Sequence, residues 1–353
     1  MTLRELNRAT LARQALLARA SDPLAMIEQL VALQAQLARP PFVGLWTRVA
    51  KFRREQLHAL VHDKAVVRAT LMRGTLHLVS AADYLALRSA LQPMFTAGAK
   101  AILKDRVAGL DIAKLCAFAK SKLPATFETL RPVLAKKFPK FDDRALGYAL
   151  RMHLPLVQVP TADRWAYPAS SDFACAETWL GRVFAEAAPQ LLVRRYLAAF
   201  GPATVRDAQI WSGLRDLGPV FEALRDELVV FRDGKRELFD LPDAPRPGEV
   251  DAPVRFLPDF DNLVLGHDDR SRVIADAHRA AIVTKNLQVK ATFLVDGFVA
   301  GTWTIEAKQK TATLVLSPFG TLKKPVRAAL EAEGDALVRF VEPDAATHAI
   351  KVA

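Results

Sequence analysis

Leu228-Val229-Val230-Phe231-Arg232-Asp233-Gly234-Lys235-Arg236-Glu237-Leu238-Phe239 (residues 228–239) reads as strand, tight turn and strand. Asp-Gly supplies the positive-φ pair that a short hairpin needs between two apolar runs. Upstream, a helix is expected near 219–226, and Thr204 with Asp207 at the third position caps another. Gly201-Pro202 turns the chain out of a helix over 191–200. Helix, turn, capped helix and hairpin in that order make a winged helix, a unit that commonly docks DNA.

The same order occurs twice earlier in the chain. Residues 111–120, 126–138 and 142–153 read as helices, followed by a strand at 156–159 and a return strand at 164–167. Nearer the amino end, Thr2 with Glu5 caps one helix and Asp22-Pro23 opens a second. A third covers 55–62, and strands at 66–70 and 75–79 flank Met72-Arg73-Gly74. Beyond the Pro-rich stretch Leu241-Pro242-Asp243-Ala244-Pro245-Arg246-Pro247-Gly248 the texture changes to strands, at 254–257, 263–265, 289–295, 298–305 and 311–316. Asp296-Gly297 marks a hairpin turn, a helix covers 325–332, and late strands fall at 337–341 and 348–352. The expected fold class is therefore α+β: three tandem winged-helix units over 1–108, 109–188 and 189–242, then a small β-barrel-like domain over 250–353.

Composition narrows the function. A chain of 353 residues with 51% hydrophobic composition can bury a large core and divide it among several units. Lys+Arg 49 against Asp+Glu 38 gives a formal net charge of +11, which favours a polyanionic partner. The excess is uneven: 100–140 and 270–330 each carry ten basic residues against three acidic, whereas 201–250 carries seven against ten. Cys116 and Cys175 are too few for a disulfide framework and fit no metal spacing, so a reducing compartment is expected. Arg4, Glu5, Arg8, Arg13 and Arg19 leave no signal-peptide core, and no apolar run is long enough to span a bilayer. The expectation is a soluble cytoplasmic protein, associated with the nucleoid.

One pair of residues carries chemistry. The run ending Leu33-Gln34-Ala35-Gln36-Leu37 reads as the end of a helix just before Arg39-Pro40-Pro41, and it holds two neutral amides one residue apart. Each amide offers both a donor and an acceptor, so a close pair can hold and orient a water without adding charge. Site-lining candidates beside them are His77 in a wing strand and Asp259 and Asp261 after the Pro-rich stretch. His58 and His62 have a metal-like spacing, but no glutamate follows His58 and no third ligand is evident. No glycine-rich phosphate loop and no Ser/Cys–His pairing is apparent, so neither cofactor nor metal is expected. No lysine stands out as a covalent nucleophile, which leaves water as the attacker.

The residues also carry a family resemblance. Leu33-Gln34-Ala35-Gln36, Pro41-Phe42-Val43-Gly44-Leu45-Trp46, Met72-Arg73-Gly74-Thr75-Leu76-His77-Leu78-Val79, Leu257-Pro258-Asp259-Phe260-Asp261-Asn262 and Gly297 with Gly301-Thr302-Trp303 together resemble the AlkZ/YcaQ family of winged-helix DNA glycosylases. The likeness runs over nearly the whole chain. It implies three tandem winged helices and a β-barrel around damaged duplex, with a Gln-apolar-Gln motif in the active site that falls on Gln34 and Gln36. The YcaQ-like branch has Asp where this chain has Gln36. The expected function is a monofunctional glycosylase that uses water to hydrolyse the N-glycosidic bond of alkylated purines in double-stranded DNA. It would act as a monomer, and the resemblance implies action on bulky adducts or interstrand crosslinks. Candidate DNA contacts are Arg73, Lys235, Arg236, Lys308 and Lys310. The rival readings are a noncatalytic winged-helix regulator, in which the glutamines are structural, and a hydrolase of another polymer, for which no carboxylate pair stands out.

Overall fold

Helix Leu3–Arg13 starts as its sequence dictates: the Thr2 hydroxyl accepts from the Glu5 N–H at 3.1 Å, and the Glu5 carboxylate accepts from the Thr2 N–H at 2.7 Å. The computed structural model describes every residue of the chain except 235 and 285–287. In it this first helix is a hub, because Asn7, Arg8, Thr10 and Arg13 on its polar side are buried along with its apolar residues. Asn7 Nδ2 donates to the Arg272 and Gly297 carbonyls at 2.7 and 2.8 Å. Arg8 donates to the Asp296 carbonyl at 2.9 Å and pairs with the Asp296 carboxylate. Arg13 meets Asp240 in two bonds of 2.7 and 2.8 Å. The helix thereby ties the third helical set to the C-terminal sheet. Gly297 is required at that junction: its φ is +80°, and a Cβ there would lie 2.5 Å from Arg8 Nη1.

Asp22 opens a second helix by accepting from the Ala25 N–H at 2.6 Å, but that helix covers only Pro23–Gln29. It does not run on to the glutamines as the sequence suggests. Val31 takes a left-handed φ of 66°, and the chain leaves as strand β1 (Leu33–Gln34). With β2 (Val66–Thr70), β3 (Leu76–Ser80), β4 (Leu156–Gln158) and β5 (Phe173–Cys175) it forms one five-stranded sheet in the order β1-β3-β2-β4-β5. The strands of the first and second helical sets are thus joined in a single sheet. Helices Ile112–Lys120, Phe127–Lys137 and Asp143–His153 begin where the side chains of Asp111, Thr126 and Asp142 cap them.

Strand β5 stands in place of the return strand expected at 164–167. There Asp163 Oδ1 accepts from the Trp165 N–H at 3.0 Å and Ala166 takes a φ of 65°, which makes a turn. The aromatic residues that suggested a strand act as anchors instead. Arg54 sits 4.6 Å over the Trp165 ring, and Arg68 sits 5.3 Å over Tyr167.

The third set is closest to its sequence. Helices Pro189–Phe200, Val205–Ser212 and Gly218–Ala223 lead into the antiparallel pair β6 (Val229–Asp233) and β7 (Arg236–Asp240). The Thr204–Asp207 capping box is present, with Asp207 N–H donating to the Thr204 hydroxyl at 3.0 Å. Residues 241–248 form neither helix nor strand. Arg246 folds back over them, bonding Asp240 at 2.5 Å and the Leu241 carbonyl at 3.0 Å.

The C-terminal part departs from a barrel. β8 (Arg255–Leu257), β9 (Thr292–Val295), β10 (Phe298–Lys308), β11 (Thr311–Pro318) and β12 (Thr347–Val352) form an open sheet in the order β12-β11-β10-β9-β8. Its end strands do not meet, so the sheet does not close. β12 runs parallel to β11 because helix Lys324–Val341 carries the chain back across the sheet before it pairs. Residues 337–341, expected as a strand, are the last turns of that helix. Leu330, Leu337, Val338 and Val341 recur at helical spacing and are fully buried, at roughly 1.5–3 kcal/mol per side chain. That outweighs a local strand preference, which spans only about 1 kcal/mol. Residues 263–265, also expected as a strand, lie in the short helix Asn262–Leu265, whose Leu263 N–H donates to Asp261 at 2.9 Å. Among the described residues no helix is long and apolar enough to cross a membrane.

Candidate active site

The chain reaches Gln34 as a strand, not as the expected helix. Side chains at i and i+2 point to opposite sides of a helix but to the same face of a strand. β1 pairs antiparallel with β3, Gln34 opposite His77, and the Ala35 N–H continues the ladder by donating to the Leu76 carbonyl at 2.7 Å. Gln34 therefore lies on the face of His77, while Ala35 is buried in a closed core with Leu33, Leu45 and Leu78, and Gln36 follows in a bend just beyond the strand. Gln34 is buried and Gln36 is exposed.

The two amides are held unequally. Arg73 Nη2 donates to Gln34 Oε1 at 2.7 Å. Gln36 Oε1 accepts from the Leu76 N–H at 3.4 Å, a long contact that leaves it nearly free. The backbone between them is clamped by Arg68, whose Nε and Nη2 donate to the Ala35 carbonyl at 2.9 and 2.7 Å, with Nη2 also 3.2 Å from the Gln36 carbonyl. Burial pulls the Arg68 guanidinium down to about 10, still charged at neutral pH. A buried cation bonded to carbonyls is costly and so marks a position that the fold holds deliberately. Its sequence signal was a charged residue in the apolar strand Val66-Val67-Arg68-Ala69-Thr70, and sequence reasoning missed it.

His77 is buried on the same face as Gln34, directly across from it. Burial, reinforced by the Arg73 charge, pushes its imidazole down to about 3, so it is neutral at physiological pH. Its Nδ1 is 3.0 Å from the Thr75 carbonyl, which assigns the proton to Nδ1 and leaves Nε2 as an acceptor. Arg73 occupies the turn between β2 and β3 at a left-handed φ of 55°.

The other candidates separate. Asp261 is fully buried and meets Arg48 in two bonds of 2.8 and 2.7 Å, so its carboxylate is committed to structure. Asn262 Nδ2 donates to the Ala32 carbonyl at 2.6 Å, and Arg39 lies 3.4 Å from Asp259. The loop 258–262 thus braces the chain on either side of the glutamines. Asp259 is half-buried and held by Arg39. Among the expected DNA contacts, Arg73 spends its guanidinium inside the protein, on Gln34 and the Trp211 carbonyl. Arg236 pairs with Asp269 at 2.9 Å. Lys308 and Lys310 are exposed at the tip of the β10–β11 hairpin, and Lys235 lies outside the described residues. The His58 and His62 rings stack at 6.3 Å, with His58 Nε2 on the Arg164 carbonyl at 3.1 Å.

Comparison with known proteins converges on one group. The family model described as DNA glycosylase AlkZ-like matches residues 27–340. An interstrand DNA cross-link repair glycosylase of Streptomyces sahachiroi is 28% identical over 341 residues, covering 86% of each chain. The solved structure of the Streptomyces sahachiroi DNA glycosylase AlkZ superposes over 100% of both chains with a TM-score of 0.79 at 21% identity, which shows the shared fold. With the family match running through the glutamine strand and over most of the chain, the chain belongs to the AlkZ-like family of DNA glycosylases.

Proposed function

We propose that this chain is a monofunctional DNA glycosylase that hydrolyses the N-glycosidic bond of alkylated purines in duplex DNA, acting as a monomer through Gln34 and Gln36. The observation that carries the reading is the pair of amides one residue apart at the end of β1, both held at the β2–β3 hairpin by Arg73 and the Leu76 N–H with Ala35 buried between them, in a chain of this family. An N7-alkylguanine or N3-alkyladenine already carries positive charge. Breaking its C1′–N9 bond returns the electron pair to the base, which leaves neutral, and shifts the charge to an oxocarbenium-like sugar. No general acid is required. What remains is to bring water to C1′ and to set oxygen dipoles beside the developing cation. One amide N–H can donate to the water oxygen while an amide oxygen accepts a water proton and faces the sugar. The water oxygen bonds to C1′ and its proton leaves to solvent. Bulky adducts and interstrand crosslinks resist rotation out of the stack, and the substrate named for the Streptomyces sahachiroi relative supports extending the proposal to them. The three helical sets, in this reading tandem winged helices, would grip the duplex around the lesion.

The direct test is chromatography of purified protein with duplex DNA treated with a nitrogen mustard, which makes both monoadducts and crosslinks at guanine N7. Release of the free alkylguanine supports the proposal, and its absence at saturating protein and low salt refutes it.

Two further results are expected. Lys100, Lys104, Lys122, Lys136 and Lys140 are exposed, and if they meet phosphates, log Kd will rise steeply and linearly with log salt. A flat dependence would remove this surface from DNA binding. The single-turnover excision rate should also be level from roughly pH 5 to 9, because the glutamines do not titrate and the neighbouring His77 and Arg73 lie near 3 and 10. A bell centred near neutrality would place an unrecognised acid or base in the site.

A further inference from the structure

Gln34, which ends β1, and Gln36, two residues on, are chemically identical but differently partnered. Arg73 Nη2 donates to Gln34 Oε1 at 2.7 Å, while its Nη1 donates to the carbonyl of Trp211 at the end of helix Val205–Ser212. A guanidinium has donors only, so it holds the Gln34 amide with its oxygen toward the turn. Gln34 Nε2 then has no protein partner among the described residues. At Gln36 the amide oxygen is held only by the long 3.4 Å contact with the Leu76 N–H.

Arg73 is itself fixed. It stands at a left-handed φ of 55° in the Met72–Gly74 turn, and Gly213, the left-handed C-cap of helix Val205–Ser212, packs on its backbone. A Cβ on Gly213 would lie 3.2 Å from Arg73 Cα and 3.1 Å from Met94 Cγ, so that approach depends on glycine. Burial, with repulsion from Arg270, lowers the guanidinium to about 10, and no carboxylate among the described residues pairs with it. Its bonding capacity is committed to one catalytic amide and one carbonyl of the third helical set.

We propose that Arg73 is a positioning residue that sets the polarity of the pair: it locks the Gln34 oxygen away from substrate so that Gln34 acts through its N–H donors, and Gln36 supplies the acceptor oxygen. The proposal rests on the catalytic reading of the glutamines given above. In the hydrolysis, Gln34 N–H donates to the oxygen of the attacking water, and Gln36 Oε1 takes a water proton and faces the sugar. Docking of the third helical set on the Met72–Gly74 turn is then coupled to the orientation of Gln34 through a single side chain.

The test is a double-mutant cycle in single-turnover excision from mustard-treated duplex, with duplex affinity and circular dichroism measured in parallel. Arg73→Met is expected to slow excision on the order of ten- to a hundredfold with affinity unchanged, the loss of one charge-assisted hydrogen bond. In a Gln34→Ala background the same change should cost less than about twofold, because the group through which Arg73 acts is gone. Arg73→Lys keeps charge and stem but cannot fork to both partners, so it should lose severalfold and likewise fall silent in Gln34→Ala. Gln34→Glu removes the donor and should be worse than Gln36→Glu, which keeps an acceptor. Arg73→Met at the parent rate, costs additive with Gln34→Ala, or Gln36→Glu the more damaged of the two would each overturn the inference. Parental excision by Gln34→Ala itself would instead strike the catalytic reading of the pair.

Discussion

Replacing Asp261 by Ala will lower the free energy of unfolding by about 3–5 kcal/mol, the usual cost of stranding one member of a buried ion pair. Asp261 and Arg48 are both fully buried, and the guanidinium they share with the Gly44 carbonyl (3.1 Å) and Gln14 Oε1 (3.3 Å) has no route to water. The same carboxylate accepts from the Leu263 N–H, so the variant also loses the cap of helix Asn262–Leu265. Chemical denaturation reads the effect as a fall in midpoint. The paired replacement Arg48→Met with Asp261→Leu should recover most of the loss, because it removes the charge along with its partner. A loss below about 1 kcal/mol for Asp261→Ala would mean that water reaches Arg48 and that the loop is not the brace described here.

Asp261 shows why part of this site was legible in the sequence and part was not. Asp259 and Asp261 are legible as carboxylates after the Pro-rich stretch, but sequence carries no signal that Arg48, more than two hundred residues earlier, takes up the Asp261 carboxylate. The N-terminal arginines are a similar case. In the sequence Arg8 and Arg13 serve only to break an apolar N-terminal run, yet both are buried on Asp296 and Asp240, contacts set by tertiary packing alone. Local signals survived better. The caps at Thr2, Asp22, Asp111, Thr126, Asp142 and Thr204 and the Asp296-Gly297 turn all act where they stand in the sequence, because each depends on neighbours a few residues away. The glutamines lie between these extremes. Leu, Gln and Ala all favour helix, so the run reads as helical, and only pairing with β3 imposes the strand that sets Gln34 opposite His77. The barrel failed for a comparable reason: residues 337–341 are apolar enough for a strand, and the helix that claims them occupies the return path a closing strand would need.

Removing either glutamine should damage turnover far more than binding. Loss of one preorganised hydrogen-bonding group typically costs ~3–4 kcal/mol, on the order of a hundred- to a thousandfold in rate. In the proposed mechanism the two act on one water, so the double variant should be only slightly slower than the worse single one. Gln36→Asp keeps acceptor oxygens and adds negative charge beside a cationic transition state, so it should retain activity that Gln36→Ala lacks. None of these changes touches the buried Ala35 side or the Arg68 clamp on the backbone, but Gln34→Ala takes a partner from the buried Arg73, so fold and duplex affinity are measured for each variant. The decisive measurement is single-turnover release of free N7-alkylguanine from mustard-treated duplex by the parent chain and by Gln34→Ala/Gln36→Ala, with duplex affinity matched. The account predicts release by the parent and a loss of at least about a hundredfold in the double variant. Equal rates from the two proteins would contradict it.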